Sequence, residues 1–554
     1  MSDIKRCYVF AIGGSGARVL EAITIQLAAG CGYEVLKNWE IVPIMIDLDS
    51  ENGNTSVTRN LLNTYMEIHD TLKFSRGESS FFKVPIKRLK DVSEGAESDT
   101  FTMPVDLTNK ASLKQMIDYE TLSTSTKLAT TENLVDLLFA EQELNMTLQH
   151  GFKGRPNIGS IVFGQFGQRY KDQNGKELFK NKDFSAFAHG FKEGDRIFVM
   201  GSIFGGTGAA GIPWLIKEIR NYKEVDAFRN AKIGLLSIMP YFTVSKNDSS
   251  TIDSKTFITK TKSALRYYHK NLTEPNAIFY LADDNDNMEH KNAEGGVNQK
   301  NQPHFVEFIG ATSLTKFLSL ENEQLDNEEP SALRYGIRIG EGNQPIFLEN
   351  FDPQKPSYKW INLPLTRFYI AHLLILKVFK KSNNITWKLQ TGLTEKRGTF
   401  FSSEMIETFF SQNFYRSFEG FFEHFNKYLI EISGDSGKSG FKAFRPYMVN
   451  PNVGEKKLDD KRATPLNEII NNNNISNGTD TIDKIDYKKD ETTYFMSSKK
   501  IKWAELVTNT NSCISQVNQL THEDESIQKA IRLDELLFQS STKFLSKYKV
   551  PFLQ

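Results

Sequence analysis

A doubly wound parallel α/β sheet with a large helical insertion, followed by a separate α+β C-terminal region, is the fold this sequence predicts. Three observations lead there. Near-continuous apolar runs of strand length recur at residues 6–12, 39–46, 196–200, 232–239 and 277–281. Helix-forming stretches lie between several of them. Two of the runs lead into glycine-rich turns and two end in acidic residues. Strands covered by helices on both faces are apolar throughout, and strand–helix alternation imposes parallel pairing.

The elements follow in order. The opening MSDIKRCYVFAIGG reads as a first core strand rather than a signal peptide, because its apolar run is short and meets a glycine turn. Gly13, Gly14, Ser15 and Gly16 make that turn, and a helix is expected over 17–28. Strand 39–46 leads into Asp47, Leu48 and Asp49. The polar, helix-forming stretch at about 51–153 reads as the insertion. Strand 196–200 runs into Gly205, Gly206, Thr207 and Gly208, ahead of a helix opened by Pro213. Strand 232–239 ends at Pro240, a helix is expected over 252–269, and strand 277–281 ends in Asp283, Asp284 and Asn285. After a polar loop over 283–302, Pro303 starts an apolar-periodic helix, since proline suits a first helical turn. In the second half, Ile406, Phe410, Phe414, Phe418, Phe421, Phe425 and Leu429 recur at helical spacing within 404–432, a long helix with a core-facing phenylalanine face. Residues 467–483 read as a loop and 524–548 as a final helix. The expected domains are 1–320, and 321–554 as an α+β or mostly helical unit.

Length and charge narrow the function. At 554 residues the chain exceeds one ordinary core. Its 68 basic and 68 acidic residues cancel, which argues against a general nucleic-acid or membrane-surface binder. Cys7, Cys31 and Cys513 have neither metal-ligand spacing nor the look of a disulfide framework, so a cytoplasmic setting is expected. The most apolar stretch, 361–379, is interrupted by Arg367, His372 and Lys377 and reads as a buried helix, not a membrane span.

The chemistry concentrates in the glycine turns. Glycines between a strand and a helix let backbone N–H groups approach an anion, and the helix N-terminus adds partial positive charge. Gly205, Gly206, Thr207 and Gly208, with the threonine hydroxyl, therefore read as a phosphate cradle. The turn is not a Walker A loop, because no Lys-Ser or Lys-Thr follows Gly208. The Gly-Lys-Ser at 437–439 lacks the earlier glycine, having Ile432 there, and reads as a surface turn. Ligands of parallel sheets bind at the carboxyl ends of strands, where both glycine turns and both acidic ends fall.

The order of these pieces resembles the tubulin/FtsZ superfamily. Its G-G-G-T-G-[ST]-G signature appears here as Phe204, Gly205, Gly206, Thr207, Gly208, Ala209 and Ala210, with the core G-G-T-G and the following Pro213 kept. Gly13, Gly14, Ser15, Gly16 and Ala17 occupy the place of the first phosphate loop. Asp47 and Asp49 resemble the acidic end of the second, near phosphates and magnesium. Gly154, Arg155 and Pro156 resemble the loop that senses the terminal phosphate. The helix from Pro303 takes the place of the central helix that stacks on guanine, which puts Asn301 and His304 beside the base. The resemblance covers roughly 5–320, with 51–153 outside it. It implies GTP or GDP with Mg2+, the metal held by Asp47 and Asp49, and head-to-tail self-association into filaments. It also implies GTPase activity completed by acids of the next subunit. Asp326 and Glu329 occupy that place, but the family's N-x-D-x-x-D pattern is missing. Cytoskeletal, membrane-remodelling or defence roles, alone or with another protein, are implied at family level only.

Two other readings stay open. A non-hydrolysing scaffold would keep the fold without turnover. A Rossmann-type dinucleotide enzyme fits Gly14, Gly16 and the spacing after them, except that Val19 stands for the last glycine and Asp47 and Asp49 lie too far along. His304 and Glu307 share one helix face, which suits a structural or base-proximal role.

Overall fold

The computed structural model of the chain describes residues 4–49, 52–74, 80–105, 112–124, 128–148, 151–245, 252–283, 289–291, 296–326, 333–338, 360–361, 363–375, 412–432, 447–449, 463–465, 491–493, 500–502, 512–513, 516–517 and 519–547. Its central sheet has six strands: β1 (Lys5–Ile12), β2 (Trp39–Ile46), β3 (Arg196–Ser202), β4 (Lys232–Ile238), β5 (Ala277–Ala282) and β6 (Leu333–Arg338). Their spatial order is β6-β5-β4-β3-β1-β2. Every neighbouring pair is parallel. The order reverses at β1, where Phe10 stands between Ile44 of β2 and Val199 of β3. Such a reversal opens a crevice at the carboxyl ends of the two strands that flank it.

Helices cover both faces. The principal ones are α1 (Gly13–Ala29), α2 (Gly53–Leu72), α3 (Pro156–Phe166), α4 (Thr207–Asn221), α5 (Phe257–Asn271), α6 (Phe305–Leu318), α7 (Leu363–Leu374), α8 (Asn413–Ile432) and α9 (Glu525–Lys547). Side chains alternate across a strand, so each strand feeds two cores. Cys7, Val9 and Ala11 face a core built with α1, α2, α6, α7, α8 and α9. Tyr8, Phe10 and Ile12 face the other, built with α3 and α4.

Local chemistry sets the helix ends. Asn52 caps α2 by accepting from the Asn54 and Thr55 N–H groups. Gly30 closes α1 in the left-handed region at φ 81°, donating to the carbonyls of Gln26 and Leu27. His304 and Glu307 form a reciprocal capping box at the start of α6.

Several expectations are revised. α1 begins at Gly13, so the first glycine turn is itself a first helical turn, whereas α4 begins at Thr207 with Gly206 as its cap. Pro213 lies inside α4 rather than opening it. Pro303 precedes the His304 cap. Within the expected insertion, Gly53–Leu72 is a full core helix, and its Thr58 hydroxyl donates to the Ala17 carbonyl of α1 at 2.9 Å. Beyond residue 320, β6 pairs with β5 in the sheet, and α7, α8 and α9 contribute residues to the first core. Phe421 of α8 meets Phe82 edge-on at 4.9 Å. Ile406, Phe410 and the loop 467–483 lie outside the described residues, as does the Gly-Lys-Ser at 437–439. Among the described residues, no helix is long and apolar enough to cross a membrane.

Candidate functional site

A cleft opens where the sheet order reverses. It is walled by the starts of α1 and α4, the residues after β2, and the loop ahead of α3. Gly13 has φ 71°, and a Cβ there would stand 3.3 Å from the Thr207 Cβ. The two glycine turns therefore touch, and two helix N-termini converge with their unpaired backbone N–H groups. Their positive ends favour an anion between them.

Gly206 and Gly208 of the second turn are also required by the chain itself. A Cβ on Gly208 would sit 2.2 Å from the Ser202 carbonyl oxygen, and one on Gly206 would sit 2.8 Å from the Phe152 Cβ. Gly14 differs. Its nearest neighbours would be the side-chain amides of Asn54 and Asn52, at 3.3 and 3.5 Å.

Two acids close the β2 side. Asp47 and Asp49 are 9% and 2% exposed. The Asp49 N–H donates to Asp47 Oδ1 at 3.2 Å, and the Gly296 N–H donates to Asp49 Oδ2. Burial, with the nearby Asp49 charge adding to it, pushes the Asp47 carboxyl up to about 7. Among the described residues, no group of three or more His, Cys, Asp or Glu is placed to hold a metal. Mg2+ needs no such cage: it takes one or two carboxylates and completes its shell with water and phosphate oxygens. The Asp47–Asp49 pair at the rim of an anion site fits that partial role.

Segment 296–301 forms the far wall and is strapped down by side chains of α1 and α2. Asn52 Nδ2 donates to Gln299 Oε1 at 2.8 Å, and the Asn301 N–H donates to Asn54 Oδ1 at 2.9 Å. Arg18 donates to Asn54 and to the Asn301 carbonyl. Beneath lies a buried ion pair, Arg18 Nε to Glu307 Oε1 at 2.7 Å, with side chains 3% and 1% exposed. Glu307 also accepts from the Tyr241 hydroxyl at 2.6 Å and from the His304 N–H at 2.8 Å. Burial works against the Arg18 charge, but Glu307 and Glu21 outweigh it and raise its pKa.

Of the residues singled out from sequence, Gly13, Gly14, Ser15, Asp47, Asp49, Gly154, Gly205, Gly206, Thr207, Gly208 and Asn301 line this one cleft. Gly16, Ala17, Pro156 and His304 do not. A Cβ on Gly16 would sit 2.8 Å from the Ala11 carbonyl carbon, so this glycine seats α1 on the sheet. Ala17 is core. Pro156 is the first residue of α3 and faces a different cavity. His304 is 1% exposed, and its Nδ1 accepts from the Val306 N–H. Burial, with His290 and Arg18 nearby, drives its pKa down to about 3, so the ring is a neutral cap rather than a base contact. Asp326 stands at the opposite end of the sheet, paired with Lys232 at the start of β4. One strand length, about 20 Å, separates it from the cleft. Glu329 lies outside the described residues.

Sequence reasoning missed Asn52, Asn54, Phe152, Lys153, Gln299 and Lys291, which also line the cleft. Asn52 was findable as a helix cap directly after the acidic strand end. Lys291 sits in a polar loop with no periodic signal. Compared with known proteins, the chain matches no family model and no curated sequence.

Proposed function

We propose that this chain is a divergent tubulin/FtsZ-like protein that binds GTP with Mg2+ and self-associates head to tail, working in the cytoplasm. One observation carries the reading: two glycine turns from adjacent parallel strands and the acidic end of a third meet in a single cleft at the sheet's reversal point. In this reading the phosphates rest on the N–H groups of Gly14, Ser15, Thr207 and Gly208. The Thr207 hydroxyl adds a donor, and Lys153 and Lys291 add charge. Asp47 and Asp49 hold Mg2+. The turn after α6, which carries Asp326, is anchored at the amino ends of the strands: Arg196 donates to the Phe317 carbonyl at 2.9 Å and to Asn322 Oδ1 at 3.0 Å. An acid there is too far to serve its own cleft, and in this reading it acts on the cleft of a following copy. Such heterologous contacts propagate into open filaments. The three free thiols are all buried, in keeping with a reducing compartment.

The test is nucleotide binding by purified protein, comparing the four ribonucleoside triphosphates with and without Mg2+. GTP should bind most tightly. Asp47→Asn with Asp49→Asn should cost at least about tenfold of the Mg2+-dependent affinity, since one charge-assisted contact alone is worth that much. Turnover should rise faster than linearly with protein concentration. Asp326→Ala should slow turnover without weakening binding. Absence of binding to any triphosphate overturns the reading. Binding without turnover at any concentration leaves the non-hydrolysing scaffold, which the missing N-x-D-x-x-D pattern favours.

A further inference from the structure

A second cavity, of about 530 Å³, lies between α3, α4 and α5. Its lining shares no residue with the glycine-loop cleft, although α4 serves both: Gly208 faces the cleft, and Ala209 and Ala210 face the cavity. The volume falls within the range of sites for small organic ligands. Small side chains, Ala209, Ala210 and Ala264, leave the space open, and Trp214, Tyr267 and Tyr268 supply aromatic walls.

The polar groups there have one sign. Lys217 and Lys260 line the cavity, and no acidic side chain does among the described residues. Lys217 is held in place, its Nζ donating to the Tyr267 hydroxyl at 3.1 Å and lying 5.1 Å from that ring's centre. Burial lowers the pKa of Lys260 and the neighbouring Arg155 charge lowers it further, offset in part by Asp253, which lies outside the lining. An anion in the cavity would relieve that repulsion. Tyr268 is 4% exposed, and its hydroxyl is buried without a hydrogen-bond partner. The hydroxyl is therefore closed off from the cavity, and Tyr268 contributes its ring to the wall.

We infer that this cavity binds a small organic anion with an apolar or aromatic body, independently of the glycine-loop cleft. The aromatic walls take the body, and the two ammonium groups take the carboxylate or sulfonate. The inference does not depend on the nucleotide reading: the two linings share no residue, although Lys260 Nζ lies beside Gly154 of the cleft.

Anilinonaphthalene sulfonate is a suitable probe, titrated by fluorescence against the full chain. The wild type should show one saturable equivalent. Ala264→Trp fills the space from α5 and should abolish that equivalent while the urea midpoint stays unchanged. Should Ala264→Trp not fold, Ser160→Trp fills the cavity from α3 and serves the same purpose. Lys217→Gln with Lys260→Gln should weaken the sulfonate about tenfold, as expected for a lost charge contact. The same double variant should leave the affinity of the uncharged phenylnaphthylamine unchanged. Full sulfonate binding to a folded cavity-filled variant overturns the proposal. So does an equal loss of both probes in the lysine variant, since that assigns no role to charge.

Discussion

Arg18→Met would cut the centre of the buried network beneath the cleft. Arg18 donates to Glu307 at 2.7 Å and to Asn54 at 3.4 Å, and reaches the Asn301 carbonyl as well. Without it, Glu307 keeps the Tyr241 hydroxyl and the His304 N–H, but its charge is left 1% exposed with no counter-ion. Breaking a buried pair from one side costs about 3–5 kcal/mol, because an uncompensated charge remains. The double variant Arg18→Met with Glu307→Gln removes both charges and keeps an acceptor for Tyr241. It should recover all but about 1–2 kcal/mol, since a buried pair contributes little beyond its own desolvation. Urea unfolding of wild type, both single variants and the double variant, followed by tryptophan fluorescence at one pH, reads the cycle. A coupling energy below about 1 kcal/mol, or losses that simply add, would refute the argument, because contacting charges must couple.

Other perturbations follow from particular contacts. Gly14→Ala should keep its stability while losing nucleotide affinity in a direct binding titration, because its methyl meets only side-chain amides at 3.3 Å or more. Gly208→Ala should instead destabilise the protein by about 1–3 kcal/mol or more even without nucleotide, measured by urea unfolding, because its methyl would sit 2.2 Å from the Ser202 carbonyl oxygen. Phe421→Ala should cost about 3–5 kcal/mol in a single unfolding transition, since the ring is fully buried in the core shared by the sheet and the C-terminal helices. Asp534 gives a pH signature. Burial raises its carboxyl to about 7, so the folded protein keeps a proton that the unfolded chain releases near pH 4. Its contribution to stability therefore falls as pH rises from about 4 to 7 and is flat above, a change on the order of 4 kcal/mol. Asp534→Asn should lack that slope, and parallel unfolding curves at several pH values will show whether it does.

The sequence by itself determined five of the six sheet strands, because strands buried on both faces must be apolar without interruption; β6, with Arg334 and Arg338 among its six residues, has no such run and only the sheet pairing revealed it. Residues 39–46 and the start of the strand at Lys232 could be bounded from composition alone. It also marked both glycine turns, since only such turns let a helix start directly at a strand's end. Glycine type alone did not say what each one serves. Gly208 and Gly16 are dictated by backbone packed against them, whereas Gly14 faces the open cleft, and that difference exists only once Ser202, Ala11 and Asn54 are in place. His304 carried the same ambiguity. A histidine next to a helix start can contact a ligand or cap the helix, and the capping box with Glu307 and the burial around it decided for the cap. The polar stretch after Asp49 concealed a core helix, because the buried face of α2 is defined by partners up to several hundred residues away, among them Ala17 and Phe421. For the same reason only the tertiary structure set the extent of the first core. An amphipathic helix such as α8 announces its apolar face in its own residues, but the surface that buries that face belongs to the rest of the chain.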